Sequence, residues 1–117
     1  MISTFEFANH VVGIIIDADI DKEKLKVIHD SILEKISKFG KVNIFCEIVH
    51  GHEVEFKCLL DELKFKFDNS EDIVKLAFVT DLSWLRVVMN VNGFIGYTDI
   101  RPYEIKDRME AIQWISH

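Results

Sequence analysis

Apolar positions along this chain recur with two different periods. Val11 to Ala18 (VVGIIIDA) is almost continuously apolar, and Val74 to Thr80 reads as another buried strand. A nearly continuous run such as Val11 to Ala18 suits a strand covered on both faces, as in the middle of an α/β sheet. Met1 to Phe7 alternates instead, with Phe5 and Phe7 on one side and Glu6 on the other, which predicts a shorter strand. Asn9-His10 reads as a turn, so the first two strands form an antiparallel hairpin. Val42 to Val49 alternates too, with Val42, Ile44, Cys46 and Ile48 on one face, and stops at His50-Gly51-His52.

Between these runs the period becomes helical. Leu25, Ile28, Ile32, Ile36 and Phe39 share one face. Asp21 is placed to cap that helix, Ile20 and Leu25 occupy the two positions of a hydrophobic staple, and Gly40 fits its end. Glu55 to Asp68 predicts a second helix with Phe56, Leu59, Leu60, Leu63 and Phe67 on its stripe, closed by Asn69-Ser70. Ser83 to Asn92, before Gly93, predicts a third. Thr98 to Arg101 predicts a last strand, stopped by Pro102. Ile105 to Ser116 predicts a last helix with Ile105, Arg108, Ala111, Ile112 and Ile115 on one side. The order β-β-α-β-α-β-α-β-α implies an α/β fold: a central, mixed, mostly parallel five-stranded sheet with four helices.

Length and composition narrow this further. At 117 residues, 49% apolar and 29% charged, residues 1–117 read as a single domain able to bury a core. The net charge is −6 and the lysines form no basic stripe, which speaks against a nucleic-acid partner. The longest uncharged run, Val87 to Thr98, is too short to span a membrane. Met1 to Ile16 lacks the basic start and small-residue cleavage site of a signal peptide. With only Cys46 and Cys58, the reading is a cytoplasmic protein with reduced thiols.

The segments VVGIIIDADIDKEKL, LLDELKFKFDNSEDIVKLAFVTDLSWL and IRPYEIKDRMEAIQWI, in this order of elements, resemble the SpoIIAA-like family of bacterial STAS-type domains. The resemblance runs from about Phe5 to Ile115. Its more specific pieces are Leu63-Lys64-Phe65, Trp84 and Ala111 to Ile115. It implies a four-helix STAS fold on a mixed sheet. STAS domains often act as regulatory or docking modules, and some bind nucleotides. In anti-anti-sigma factors a serine at the start of the second helix is phosphorylated. Here that stretch is His50-Gly51-His52-Glu53-Val54-Glu55-Phe56, with no Ser or Thr, so that switch is not implied. The family has also been likened in fold to CRAL-TRIO lipid-binding domains, an analogy that does not by itself set function.

In a parallel α/β sheet, ligands sit outside the carboxyl ends of the strands. That edge gathers Asp17, Asp19, His50, His52, Asp81 and Tyr103 as candidate ligand-binding residues. Asp17-x-Asp19-x-Asp21 looks like the start of a calcium loop, but Lys22 replaces the required Gly and Ile28 the closing acid. A strand end followed by a helix cap accounts for it. His50-x-His52, with Glu47, Glu53 and Glu55 nearby, is a weak candidate for a metal such as zinc, since spacing specifies no third ligand. Cys46 lies mid-strand and Cys58 inside the predicted second helix, and neither has a readable base. No catalytic set and no cofactor are implied.

The third helix departs from the expected pattern. Ser83-Trp84-Leu85-Arg86-Val87-Val88-Met89-Asn90-Val91 carries one charge and is apolar almost all round, and Phe94-Ile95-Gly96-Tyr97 extends it. A surface helix needs a polar face. Trp84, Leu85, Val88, Val91, Phe94, Ile95 and Tyr97 are therefore candidates for an interface or an apolar ligand. On the last helix Trp114 lies off the stripe, at the rim of the core, and Phe65 is off its stripe in the same way. Three functions follow in order. The first is a non-enzymatic STAS-like binding or regulatory module acting through protein contacts, as a homodimer. The second is a carrier of a lipid or other apolar small molecule, and the third a metal-binding protein or hydrolase using His50 and His52.

Overall fold

The first two strands form the expected hairpin: β1 (Ile2–Ala8) runs antiparallel to β2 (Val11–Ile16), with Phe5 opposite Gly13. The computed structural model describes residues 2–8, 10–55, 57–91, 94–95 and 97–117, and their side chains except at 5–8, 59, 60, 63, 66, 67, 90, 91, 94 and 95. Asn9 of the turn, the facing of Phe5 and Phe7, and the whole of the second helix's predicted stripe lie outside that description.

From β2 the chain enters α1 (Lys22–Phe39), whose N-cap is Asp21: its carboxylate accepts from the Lys24 amide at 2.9 Å. Ile20 and Leu25 are both buried, as the staple requires. Gly40 ends the helix at φ 82°, and its N–H donates to the Ile36 carbonyl. Leu25, Ile28 and Ile32 bury against the sheet, each contributing about 1.5–3 kcal/mol. The remaining elements are β3 (Val42–Ile48), α2 (Cys58–Asp68), β4 (Ile73–Val79), α3 (Ser83–Val91), β5 (Phe94–Ile95), β6 (Thr98–Tyr103), a 3-10 turn (Ile105–Asp107) and α4 (Arg108–Ser116).

The sheet order is β1-β2-β3-β4-β6-β5. β2, β3, β4 and β6 are mutually parallel, and the antiparallel β1 and β5 form the two edges. The fold is thus the expected α/β architecture of a mixed, mostly parallel sheet with helices, extended by the two-residue β5. Every residue of β3 is buried, Asn43 and Glu47 included, so the strand is covered on both faces where its alternation implied one apolar face.

Helices cover the two faces unequally. α1, α2 and α3 pack on one face through Leu25, Ile28, Ile32, Cys58, Leu85 and Met89, against Ile14, Ile44, Cys46 and Leu76. Among the described residues, α4 and the 3-10 turn before it cover the other, where Ala111 and Ile115 meet Val11, Phe45, Ala77 and Val79. Arg108 lies in the apolar stripe of α4 because it reaches Glu47 of β3: its Nε and Nη2 donate to the two carboxylate oxygens at 2.5 and 2.7 Å. Trp114 sits at the rim of this second core, with the Arg101 guanidinium 4.5 Å and the Lys75 ammonium 5.2 Å from its ring centroid. Phe65 leaves its stripe for a similar reason. It stacks on the His29 ring at 3.7 Å, and His29 Nε2 lies 2.6 Å from Glu62 Oε2, joining α1 to α2.

Three element boundaries differ from expectation, one of them being the last helix, which opens with the 3-10 turn Ile105–Asp107 and is α-helical only from Arg108. Pro102 does not stop the last strand, since Phe78 pairs with Pro102 and Val79 with Tyr103. The Tyr103 carbonyl accepts from Thr80 N at 2.9 Å, so Tyr103 turns its backbone polar groups toward β4. Pro102, one residue earlier, turns its missing N–H to the other side, beyond the short β5. The second helix starts at Cys58 rather than Glu55, because Val54 forms a parallel bridge with Ile20, and Glu55 N donates to the Ile20 carbonyl at 3.1 Å as part of it.

Candidate functional site

Five of the six residues expected at the carboxyl ends of the strands do meet partners there, in two groups. β2 ends into Asp17 and Asp19, and β3 ends into His50, Gly51 and His52, with Gly51 at φ 95° allowing the sharp turn. His52 lies between two carboxylates, with Nε2 2.8 Å from Asp17 Oδ1 and Nδ1 3.2 Å from Asp19 Oδ1. These bonds raise the His52 pKa, the one to Asp17 most and the one to Asp19 next. Asp19 also accepts from the Glu53 amide at 3.0 Å, and this backbone bond, followed by His52, holds its carboxyl below the usual range.

His50 faces a different acid. Its Nδ1 is 3.0 Å from Asp81 Oδ2, while Asp81 Oδ1 accepts from the Ile105 amide at 3.2 Å. The Ile105 bond is the main cause that lowers the Asp81 pKa, and His50 adds to it. Together Val49 to Glu53 and Thr80 to Leu82 border a cleft of about 210 Å³. Tyr103 does not join it. Its side chain packs with the second core, on the α4 face of the sheet, and burial raises its phenol pKa.

This arrangement limits the chemistry. The two nitrogens of one imidazole point away from each other, so a single ion cannot take Asp17, His52 and Asp19 together. Among the described residues no group of three or more His, Cys, Asp or Glu is placed to hold a metal ion. Cys46 and Cys58 are both buried, at 6% and 1% exposure. Cys58 opens α2 instead of lying within it, yet its thiol pKa is raised, first by burial and then by Glu55 and Asp61. The helix N-terminus therefore does not activate it.

Both thiols border an apolar cavity of about 40 Å³ between α1, α2, α3 and the sheet, with Ile16, Ile20, Val54 and Leu85 in its wall. Among the described residues, Glu62 is the one charged side chain in its lining.

The SpoIIAA-like family model matches residues 11–116. The chain belongs to the SpoIIAA-like family. A crystal structure of an uncharacterized protein of the DUF3478 family with a SpoIIAA-like fold, from Shewanella loihica PV-4, superposes with a TM-score of 0.70. The superposition covers 98% of this chain and 92% of that one at 8% identity, so the likeness is one of fold. No curated protein matches.

Within this SpoIIAA-like domain, α3 divides its residues by face. Leu85 and Met89 are buried at 3% and 1%, and Val88 packs partly buried against the main core. Trp84 is 36% and Val87 62% exposed, one helical turn apart on the outer face. Tyr97 is 73% exposed, between β5 and β6. Val91, Phe94 and Ile95 keep their backbone places at the end of α3 and in β5, while their side chains lie outside the described residues. Leu85 is thus a core and cavity residue, and Val87, absent from the predicted set, is the most exposed apolar side chain described on α3. Its signal was available: Val87 follows Trp84 by three positions, while Leu85 and Met89, four apart, form the opposite stripe. No helix among the described residues is long and apolar enough to cross a membrane.

Proposed function

We propose that this SpoIIAA-like domain is a non-enzymatic binding module that docks a second copy of itself through the outer face of α3. The observation that carries this reading is Val87, 62% exposed one turn from Trp84, on a helix whose opposite stripe is already buried in the domain. A helix with apolar residues on both sides gains by covering the second side. Continuation of the sheet past β6 is a poor alternative, since Pro102 offers no N–H to a neighbouring strand.

Light scattering after size exclusion, at high micromolar concentration, tests the reading. A dimer is expected, and Val87→Asp is expected to give a folded monomer. The exposed position tolerates the charge in the monomer, whereas the interface would bury it unpaired. A wild-type monomer at that concentration overturns the dimer.

A second reading, the carrier of an apolar small molecule, draws on the apolar cavity. At about 40 Å³ it is well below the roughly 150 Å³ that admits benzene, so a lipid would need α2 or α3 to move. Native mass spectrometry separates the two, because a dimer without added mass favours docking and a bound species of a few hundred daltons favours the carrier.

A further inference from the structure

The His52 ring has an acceptor at each nitrogen, Asp17 at Nε2 and Asp19 at Nδ1. A neutral imidazole carries one N–H and can donate to only one of them. The charged ring, with two, satisfies both. The same stretch of chain is tied to the β2–α1 connection by its backbone: Ile20 N donates to the Glu53 carbonyl at 2.8 Å and Glu55 N to the Ile20 carbonyl at 3.1 Å. Behind these bonds, Val54 bridges to Ile20, and the two form part of the wall of the apolar cavity, beside Leu25 and Cys58.

We propose that His52 is a proton-controlled latch: its charged ring holds Gly51–Glu55 against the Asp17–Asp19 connection and closes the apolar cavity at Val54, and loss of the ring proton loosens that segment. Deprotonation leaves one of the two ring bonds unmade and removes the positive charge between two carboxylates. The surroundings sharpen the effect. The β2–α1 connection contributes Asp17, Asp19 and Asp21, and the first turn of α1 contributes Lys24, which acts on Asp19 and Asp21. The segment itself carries Glu53 and Glu55, and across the cleft the β4–α3 connection brings Asp81, paired with His50. Acids outnumber bases around the ring, which favours its charged form.

The sign follows from the raised pKa of His52. The latch is fully engaged below about pH 6.5, the ordinary imidazole value, and is lost as pH rises through the higher value of the folded protein. Asp19, held low by the Glu53 amide, stays charged well into the acid range and keeps its part of the latch there. The backbone bonds do not titrate, so the segment loosens without detaching. Exposed ion pairs of this kind change a local opening equilibrium by roughly two- to tenfold.

The test combines a proton titration of the histidine rings by NMR with amide exchange of Ile20, Glu53 and Glu55, normalised for intrinsic exchange. His52 is expected to titrate above an unperturbed imidazole. Protection of the three amides is expected to fall roughly two- to tenfold through that same midpoint. In His52→Gln, whose amide cannot be protonated, the step should vanish, and in His50→Asn it should remain. Should His52→Gln fail to fold, Asp17→Asn with Asp19→Asn must lower the midpoint. An ordinary His52 midpoint, or flat protection through a raised one, overturns the latch. Neither outcome depends on whether α3 pairs.

Discussion

Replacing Phe45 by alanine is expected to cost about 3–5 kcal/mol in urea or thermal unfolding, the largest effect of any single truncation proposed for this domain. Phe45 is 1% exposed and central to the thinner of the two cores. On that side one nine-residue helix, α4, covers the sheet. The phenyl ring fills the space between Val11, Ala77, Ala111 and Ile115, and alanine would leave a cavity there. Neighbouring layers cannot close over it: β2, β3 and β4 are locked in register, and Asn43 holds the end of α4 through a 3.0 Å bond to the Ile115 carbonyl. Total stabilities of small domains are about 5–15 kcal/mol, so the variant should be marginal. Phe45→Leu, closer in volume, should cost less than half as much. Equal losses for the two would show that volume at this position is unimportant.

Arg108→Ala is expected to rank next, at about 2–3 kcal/mol. Glu47 is 4% exposed and sits on the central strand, and its carboxylate is satisfied by both arms of the guanidinium. Removing the arginine leaves a buried carboxylate without its counter-charge, a loss of about 3–5 kcal/mol when the pair is fully buried. Arg108 itself is 47% exposed along its side chain, so water replaces part of that contact and the lower figure applies. Glu47→Gln should cost less than Arg108→Ala, because the uncoupled arginine can reach solvent whereas the uncoupled carboxylate cannot. The double change Glu47→Leu with Arg108→Met should recover most of the loss, since a packed apolar pair needs no desolvation. Chemical denaturation of the three variants checks the order. A Glu47→Gln loss larger than that of Arg108→Ala would mean that the uncoupled arginine, and not the uncoupled carboxylate, is the group that cannot reach water.

The two variants probe what the sequence showed least clearly. Arg108 fell in an apolar helical stripe and Glu47 on the reverse face of a buried strand, 61 residues apart. Nothing local says that such residues meet. The same holds for His29, Glu62 and Phe65, whose ring stack and hydrogen bond join two helices. Helix α3 shows the opposite case. Its lack of polar residues was plain in the sequence, but which side faces inward depends on where β6 lies. Packing buried Leu85 and left Val87 outside.

What the sequence determined by itself are the features set by neighbours a few residues apart. The unbroken apolar run of β2 and the largely apolar run of β4 assigned inner strands, the spacing of Leu25, Ile28 and Ile32 assigned α1, and Asp21 and Gly40 marked its ends. These rest on backbone periodicity and capping, which act within one turn or one strand. The tertiary structure alone decided the pairings: His52 with Asp17 and Asp19, His50 with Asp81, Glu47 with Arg108, and Tyr103 on the far face. Strand order and helix placement bring these groups together, and a side chain's partner across the sheet leaves no periodic trace in the chain. Pro102 shows the same division. Its effect on a strand depends on which side of the sheet needs an N–H, and the open edge of β6 needs none.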